Sequence, residues 1–155
     1  MSQQCSQGWV AILGALLTPT IALAGAYIAW QQWKTNQNKL RLELFGRRYA
    51  FYEAARDLIG TITASGRASD ESTFQFLSKT KGARFIVGAE LAYYLKEELY
   101  RKATSLNALD AELEGQPAGE ARSRIVQQQR ELKDWFRAQY DVLDRRFEPF
   151  LKLKH

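Results

Sequence analysis

The stretch WVAILGALLTPTIALAGAYIAWQQW, residues 9–33, decides how this chain is built. It holds no charged residue, and the 22 basic and 17 acidic residues of the protein all follow Trp33. At a rise of about 1.5 Å per residue, a helix of this length reaches across the ~30 Å of hydrocarbon in a bilayer. A secretory signal peptide has a basic start, a shorter apolar core and a small-residue cleavage site. Here the tail MSQQCSQG has no charged side chain, and the apolar run leads into aromatic and basic residues. The expectation is therefore a membrane-spanning helix over 9–33, with residues 1–8 as an external tail.

The flanks set an orientation. Lys34, Lys39, Arg41, Arg47 and Arg48 follow the run, and no basic side chain precedes it. The excess of Lys and Arg on cytoplasmic flanks then assigns the C-terminal part to the cytoplasm and the tail to the outside. Trp9 marks one interface, and Tyr27, Trp30 and Trp33 mark the other. Pro19, flanked by Thr18 and Thr20, removes one backbone donor and is expected to bend the helix.

One stripe of this helix consists only of small residues. Ala11, Ala15, Thr18, Ala22, Gly25 and Ala29 recur at alternating steps of four and three. Helices in lipid associate through close backbone approach at such residues, so the stripe reads as a self-association seam. The competing account is chance, since Ala and Gly are common in spans.

Beyond Trp33 nothing stops the helix. Leu40, Leu44, Phe45, Arg48, Phe51, Tyr52, Ala55, Leu58, Ile59 and Ile62 follow the i, i+3, i+4, i+7 spacing of an amphipathic helix. The spacing predicts one nearly continuous helix to Ala64, loosened at Gly46 and closed by Ser65 and Gly66. Residues 34–64 thus join the span to the remainder of the bundle, residues 65–155. Ser69 is the expected N-cap of a second helix, with Asp70 and Glu71 at its positive end, running past Gly82 to Val87. A third helix is expected from Ala89 to about Glu114 with Leu91, Leu95, Leu99, Ala103, Leu106, Leu109 and Leu113 inward. GQPAG, 115–119, reads as a turn. A fourth helix is expected from Glu120 to about Arg146, ended or followed by a last turn at Pro149. The fold class is all-α: one N-terminal transmembrane helix continuing into a cytoplasmic antiparallel bundle of about four helices.

LELFGRRYAFYEAARDLI (42–59), ARFIVGAELAYYL (83–95) and WFRAQYDVLDRRFEPFL (135–151) carry the pattern Leu44-Phe45-x-x-Arg48-x-x-x-Tyr52-Glu53, then Arg84-Phe85-x-x-Gly88, then Phe147-x-Pro149-Phe150-Leu151. In this the chain resembles a widespread group of small, mostly uncharacterised, helical bacterial proteins, often with one N-terminal membrane helix. The resemblance covers most of the cytoplasmic part and supports the fold; with the span and its basic flank, the expected location is the bacterial inner membrane. It brings no activity, cofactor or catalytic residue. Gly46 departs from the helix-favouring polar residue expected at that place.

The residues exclude much chemistry. The one cysteine, Cys5, lies in the tail and cannot form an intrachain disulfide; the one histidine, His155, is the last residue. No catalytic triad or zinc cluster can be assembled from them, and no phosphate-cradling glycine motif is present. The paired carboxylates Glu53 and Asp57, Glu97 and Glu98, and Asp141 and Asp144 read as solvated faces or as partners for nearby arginines. Net charge of +5 fits an anionic ligand or lipid surface, but no dense basic stripe argues for nucleic acid. Two clusters stand out. Arg47, Arg48, Tyr52, Glu53 and Arg56, together with Tyr49 and Asp57, form either a structural Arg–carboxylate network or an anion site. Lys79, Lys81 and Arg84 form a second basic cluster, either a solvated helix end or a binding patch. No cofactor or metal is expected. The expected role is a non-enzymatic, single-pass membrane interaction protein that binds the bilayer and either itself or another membrane protein. The alternative is an oligomeric effector gated by a small anionic ligand, such as a signalling nucleotide, that alters membrane permeability.

Overall fold

The structure, a computed structural model, describes the backbone of residues 4–152 and the side chains of residues 21–152. Every regular element among them is helical: α1 (Gln4–Ser65), α2 (Asp70–Thr80), α3 (Ala83–Val87), α4 (Ala89–Tyr93), a π-helical segment (Tyr94–Tyr100), α5 (Arg101–Glu114) and α6 (Glu120–Leu151). The chain divides into two compact units between Glu43 and Leu44.

In the first unit, the side chains of residues 21–43 are exposed all along α1. Ile21, Leu23, Tyr27, Ile28, Trp30 and Trp33 are each more than half exposed. At about 100° per residue they point to every side of the helix, not to one stripe. Among the described residues no helix is long and apolar enough to cross a membrane. The side chains of residues 9–20, the first half of the expected span, lie outside the described ones, as do those of Cys5 and His155.

The second unit has its own core. Phe51, Ala54, Ala55, Leu58, Ile59 and Ile62 of α1 are buried with Phe76 of α2, Leu91, Leu95 and Leu99 of the α4–π run, and Phe136, Leu143 and Phe147 of α6. At roughly 1.5–3 kcal/mol per fully buried large side chain, this core is the main favourable term for the fold. Local chemistry sets the ends of its helices. Gly66 has φ +72° and its N–H donates to Ile62 O at 2.8 Å, a left-handed cap that closes α1. The Ser69 hydroxyl accepts from Ser72 N at 3.1 Å and starts α2, whose first turn carries Asp70 and Glu71. Gly88, with φ +86° and ψ 173°, occupies backbone space that side chains forbid and separates α3 from α4.

Three helix expectations change. The second helix does not run through Gly82: it stops at Thr80, and α3 restarts at Ala83 after a turn at Lys81 and Gly82. The fourth helix runs past Arg146 to Leu151 with Pro149 inside, so of the two alternatives at Pro149 the structure has the last turn, carrying Phe150 and Leu151. Pro149 lacks an N–H, yet the last turn holds because Lys152 N–H bonds Glu148 O at 3.1 Å, and Phe147 and Phe150 tie it to the core. The third helix contains the π segment. Leu91, Leu95, Leu99 and Ala103 recur in steps of four, which in a regular α-helix drift by about 40° per step. The wider π turns cancel that drift and keep Tyr94, Leu95 and Leu99 facing inward. Gly46 does not interrupt α1.

Candidate functional site

Two constellations of the second unit hold functional side chains together. The first joins α1 to α6. Tyr52 Oη donates to Asp144 Oδ1 at 2.8 Å, and Arg56 Nη1 donates to Tyr52 Oη at 3.3 Å. Arg48 Nη1 reaches Phe150 O at 3.4 Å, while its Nε is buried without a hydrogen-bond partner. Phe45, Tyr49, Tyr52 and Phe147 form a run of neighbouring rings with centroids 5.6–6.0 Å apart. Desolvation first, then the Asp144 carboxylate, raises the pKa of the Tyr52 phenol. The five residues marked in the sequence therefore separate: Tyr52 bonds Asp144 and Arg56 bonds Tyr52, Arg48 turns instead to the Phe150 carbonyl, and Arg47 and Glu53 are exposed. Asp144, previously a member of a carboxylate pair with Asp141, is the acid that this cluster engages. Arg56, Tyr52 and Asp144 engage one another in one chain of bonds across an α1–α6 contact, which favours a structural network over an open anion site.

The second constellation is a groove of about 570 Å³ where the end of α2, α3, α4 and the π segment come together. Leu77, Ala83, Phe85, Ala92, Tyr93 and Leu95 give it apolar walls. Phe85 is 89 % exposed and Tyr93 62 %, large apolar area that a folded domain usually covers. Lys81, Arg84 and Lys96 line the same groove with a single acid, Glu97. Glu97 is already engaged by Arg101 at 3.1 Å and Lys96 at 4.0 Å. Lys81 and Arg84 have no ion-pair partner among the described residues. The second basic cluster thus divides: Lys81 and Arg84 line the groove, while Lys79 turns toward α1 and lies 3.9 Å from Asp57. The aromatic half of the groove was not picked out from the sequence. The signal was there, since Phe85 sits beside Arg84 in ARFIVG, but its exposure depends on α3 packing by the opposite side, Ala83 and Val87.

The inner side of the π segment carries a buried polar network. Tyr94 is fully buried, and its Oη donates to Gln139 Oε1 at 3.0 Å. Gln139 Nε2 in turn donates to Trp135 O at 3.2 Å. The Arg146 guanidinium stacks 4.3 Å from the Tyr94 ring centre and pairs with Glu98 at 3.5 Å. Burial pushes the Tyr94 phenol pKa far up, with Arg146 opposing and Glu98 reinforcing. A further concavity, about 680 Å³, is a shallow polar surface lined by α6 alone, with Arg122, Arg130, Glu131 and Asp134 among its residues. It has no second element to enclose a ligand.

Of the small-residue seam, Ala22, Gly25 and Ala29 are exposed on α1, and a Cβ at Gly25 would meet nothing within 4 Å. The side chains of Ala11, Ala15 and Thr18 lie outside the described residues. No three His, Cys, Asp or Glu among the described residues are grouped to hold a metal ion. Compared with protein-family models, curated proteins and solved structures, the chain matches none.

Proposed function

We propose that this protein is a non-enzymatic, single-pass interaction protein of the bacterial inner membrane. Its N-terminal helix is the anchor, its tail lies outside, and its helical unit works in the cytoplasm by binding a partner, as a self-associating module or an accessory subunit. The observation that carries the anchor is the lone apolar segment of α1: Ile21, Leu23, Tyr27, Ile28, Trp30 and Trp33 stand exposed in every direction. A helix apolar on all sides needs an apolar surround, and the uncharged residues 9–20 that precede it extend that requirement to bilayer length. Lys34, Lys39 and Arg41 at its end support the orientation. The resemblance to small membrane-anchored helical proteins leads to the same architecture. What supports an interaction role is the site chemistry: Tyr52, Asp144 and Arg56 engage one another, and Lys81 and Arg84, without ion-pair partners among the described residues, line an apolar groove.

Alkaline extraction of membranes from cells expressing the full chain tests the anchor. The protein is expected to remain in the pellet; release into the supernatant, as for a peripheral protein, would refute the span. The seam is tested by the mass of the detergent-purified chain before and after Ala22→Leu with Gly25→Leu. An oligomer broken by the double change supports the seam, and a monomer in both cases removes it.

A further inference from the structure

The groove between α2, α3, α4 and the π segment combines three features that select a partner. It is concave, walled by elements on several sides, with a volume of about 570 Å³. It presents aromatic faces, Phe85 and Tyr93, that are mostly exposed. Its charge is one-sided: Lys81, Arg84 and Lys96 face a single carboxylate, Glu97, which Arg101 already holds at 3.1 Å.

From these we infer that the groove is a docking site for an acidic segment of a partner protein, one that inserts an apolar side chain between Phe85 and Tyr93 and sets Asp or Glu residues against Lys81 and Arg84. This deepens the interaction-protein reading and rests on it. A helix-in-groove or extended peptide supplies apolar anchors at regular spacing with polar groups beside them, which this arrangement of walls and cations matches. Charge complementarity fixes the sign of the flanking residues, because Lys81 and Arg84 lack an ion-pair partner of their own among the described residues. An anionic bilayer offers the same charge, but a flat surface leaves the depression behind Phe85 unfilled, whereas a side chain fills it. Leu77, on the α2 wall of the groove, has Phe74 three residues earlier on the same helix face and 69 % exposed, which extends the apolar surface beyond the groove.

The test uses the full chain in nanodiscs of zwitterionic phosphatidylcholine and a random peptide library displayed on phage. Selected peptides are expected to carry Asp and Glu around one or two large apolar residues. Synthetic copies should bind at least about tenfold more weakly to the Phe85→Ser chain, as for an aromatic anchor. They should also weaken with Lys81→Glu plus Arg84→Glu, and as salt shortens the screening length. All three substitutions fall on exposed side chains, so unchanged thermal unfolding is the control for folding. Three results overturn the inference: no peptide whose binding depends on Phe85, selected peptides that are neutral or basic, or binding unaffected by the charge reversals. Phe85-dependent binding of the nanodisc-held chain to phosphatidylglycerol vesicles, with no groove-dependent peptide, would make a lipid surface the occupant and also overturn it. Incorporation of the chain into the nanodisc reads the anchor separately from the peptide selection, so failure of one is not mistaken for failure of the other.

Discussion

Replacing Tyr94 with Phe isolates one hydrogen bond at the centre of the helical unit. Tyr94 is fully buried, and its hydroxyl donates to Gln139 Oε1, itself on a side chain only 5 % exposed. Phe keeps the ring, its packing and the stacking of Arg146 at 4.3 Å. What it removes is the donor, leaving Gln139 Oε1 buried without that partner, which costs about 1–2 kcal/mol. Gln139→Met is close in volume and makes the opposite cut: it strands the Tyr94 hydroxyl, also at about 1–2 kcal/mol. The double variant replaces both polar partners by apolar groups of similar shape, and its cost should fall well below the sum of the single costs, with a coupling of roughly 1 kcal/mol or more. Thermal unfolding of the full chain in mild detergent, followed by far-ultraviolet circular dichroism, measures all four proteins. Each single variant should lower Tm by about 4–8 °C per kcal/mol lost for a domain of roughly 100 residues. Single variants within about 0.3 kcal/mol of the parent, or strictly additive costs, would show that water already reaches the inner side of the π segment and that the bond does not close there.

Three further outcomes follow from the geometry. Gly88→Ala should cost about 1–3 kcal/mol, because the backbone there is strained for any side chain although nothing lies within 4 Å of the added methyl; Gly82→Ala, equally uncrowded and at negative φ, should be nearly neutral in the same denaturation experiment. The folded pKa values of Tyr52 and Tyr94 are both raised above the usual 10.0, so the folded chain holds these protons longer than the unfolded chain. Their contribution to stability is therefore complete below about pH 10 and is lost as pH rises above it, which denaturation midpoints paired with tyrosinate absorbance should record as late-ionising tyrosines released on unfolding. Asp144→Ala should destabilise the α1–α6 contact and Arg48→Met should cost less, since the Met retains the apolar stem and its loss of the long 3.4 Å bond to Phe150 O is offset by removing the unpartnered Nε; if Arg48→Met leaves stability intact but abolishes binding of a phosphate-bearing nucleotide in calorimetry, the cluster is an anion site and the structural account is wrong.

The residue pattern reached the elements because helices obey short-range rules. The spacing of apolar residues from Leu40 to Ile62, the pair Ser65 and Gly66, the N-cap at Ser69, and GQPAG each act within a turn or two of chain. The same rules left two alternatives at Pro149, an end or a last turn, and tertiary packing chose the last turn. Proline usually stops a helix, but the packing of Phe147 and Phe150 outweighs one missing hydrogen bond in the last turn. The π segment left a trace, leucines at four-residue steps in place of alternating threes and fours, that has meaning only once a core exists for them to face.

By itself, the sequence determined an all-helical chain and a charge-free first segment set against a charged remainder, because composition and local periodicity carry that information. Only tertiary structure decided who meets whom. Tyr52 finds Asp144 across 92 positions of sequence, Tyr94 finds Gln139 across 45, and Lys79 parts from Lys81 and Arg84 to face Asp57. No local rule specifies such pairings; they follow from which helix faces are buried together. The groove has the same origin: α3 packs by Ala83 and Val87, which leaves Phe85 on its outer side, and the meeting of α2, α3, α4 and the π segment sets aromatic rings and three cations around one open depression.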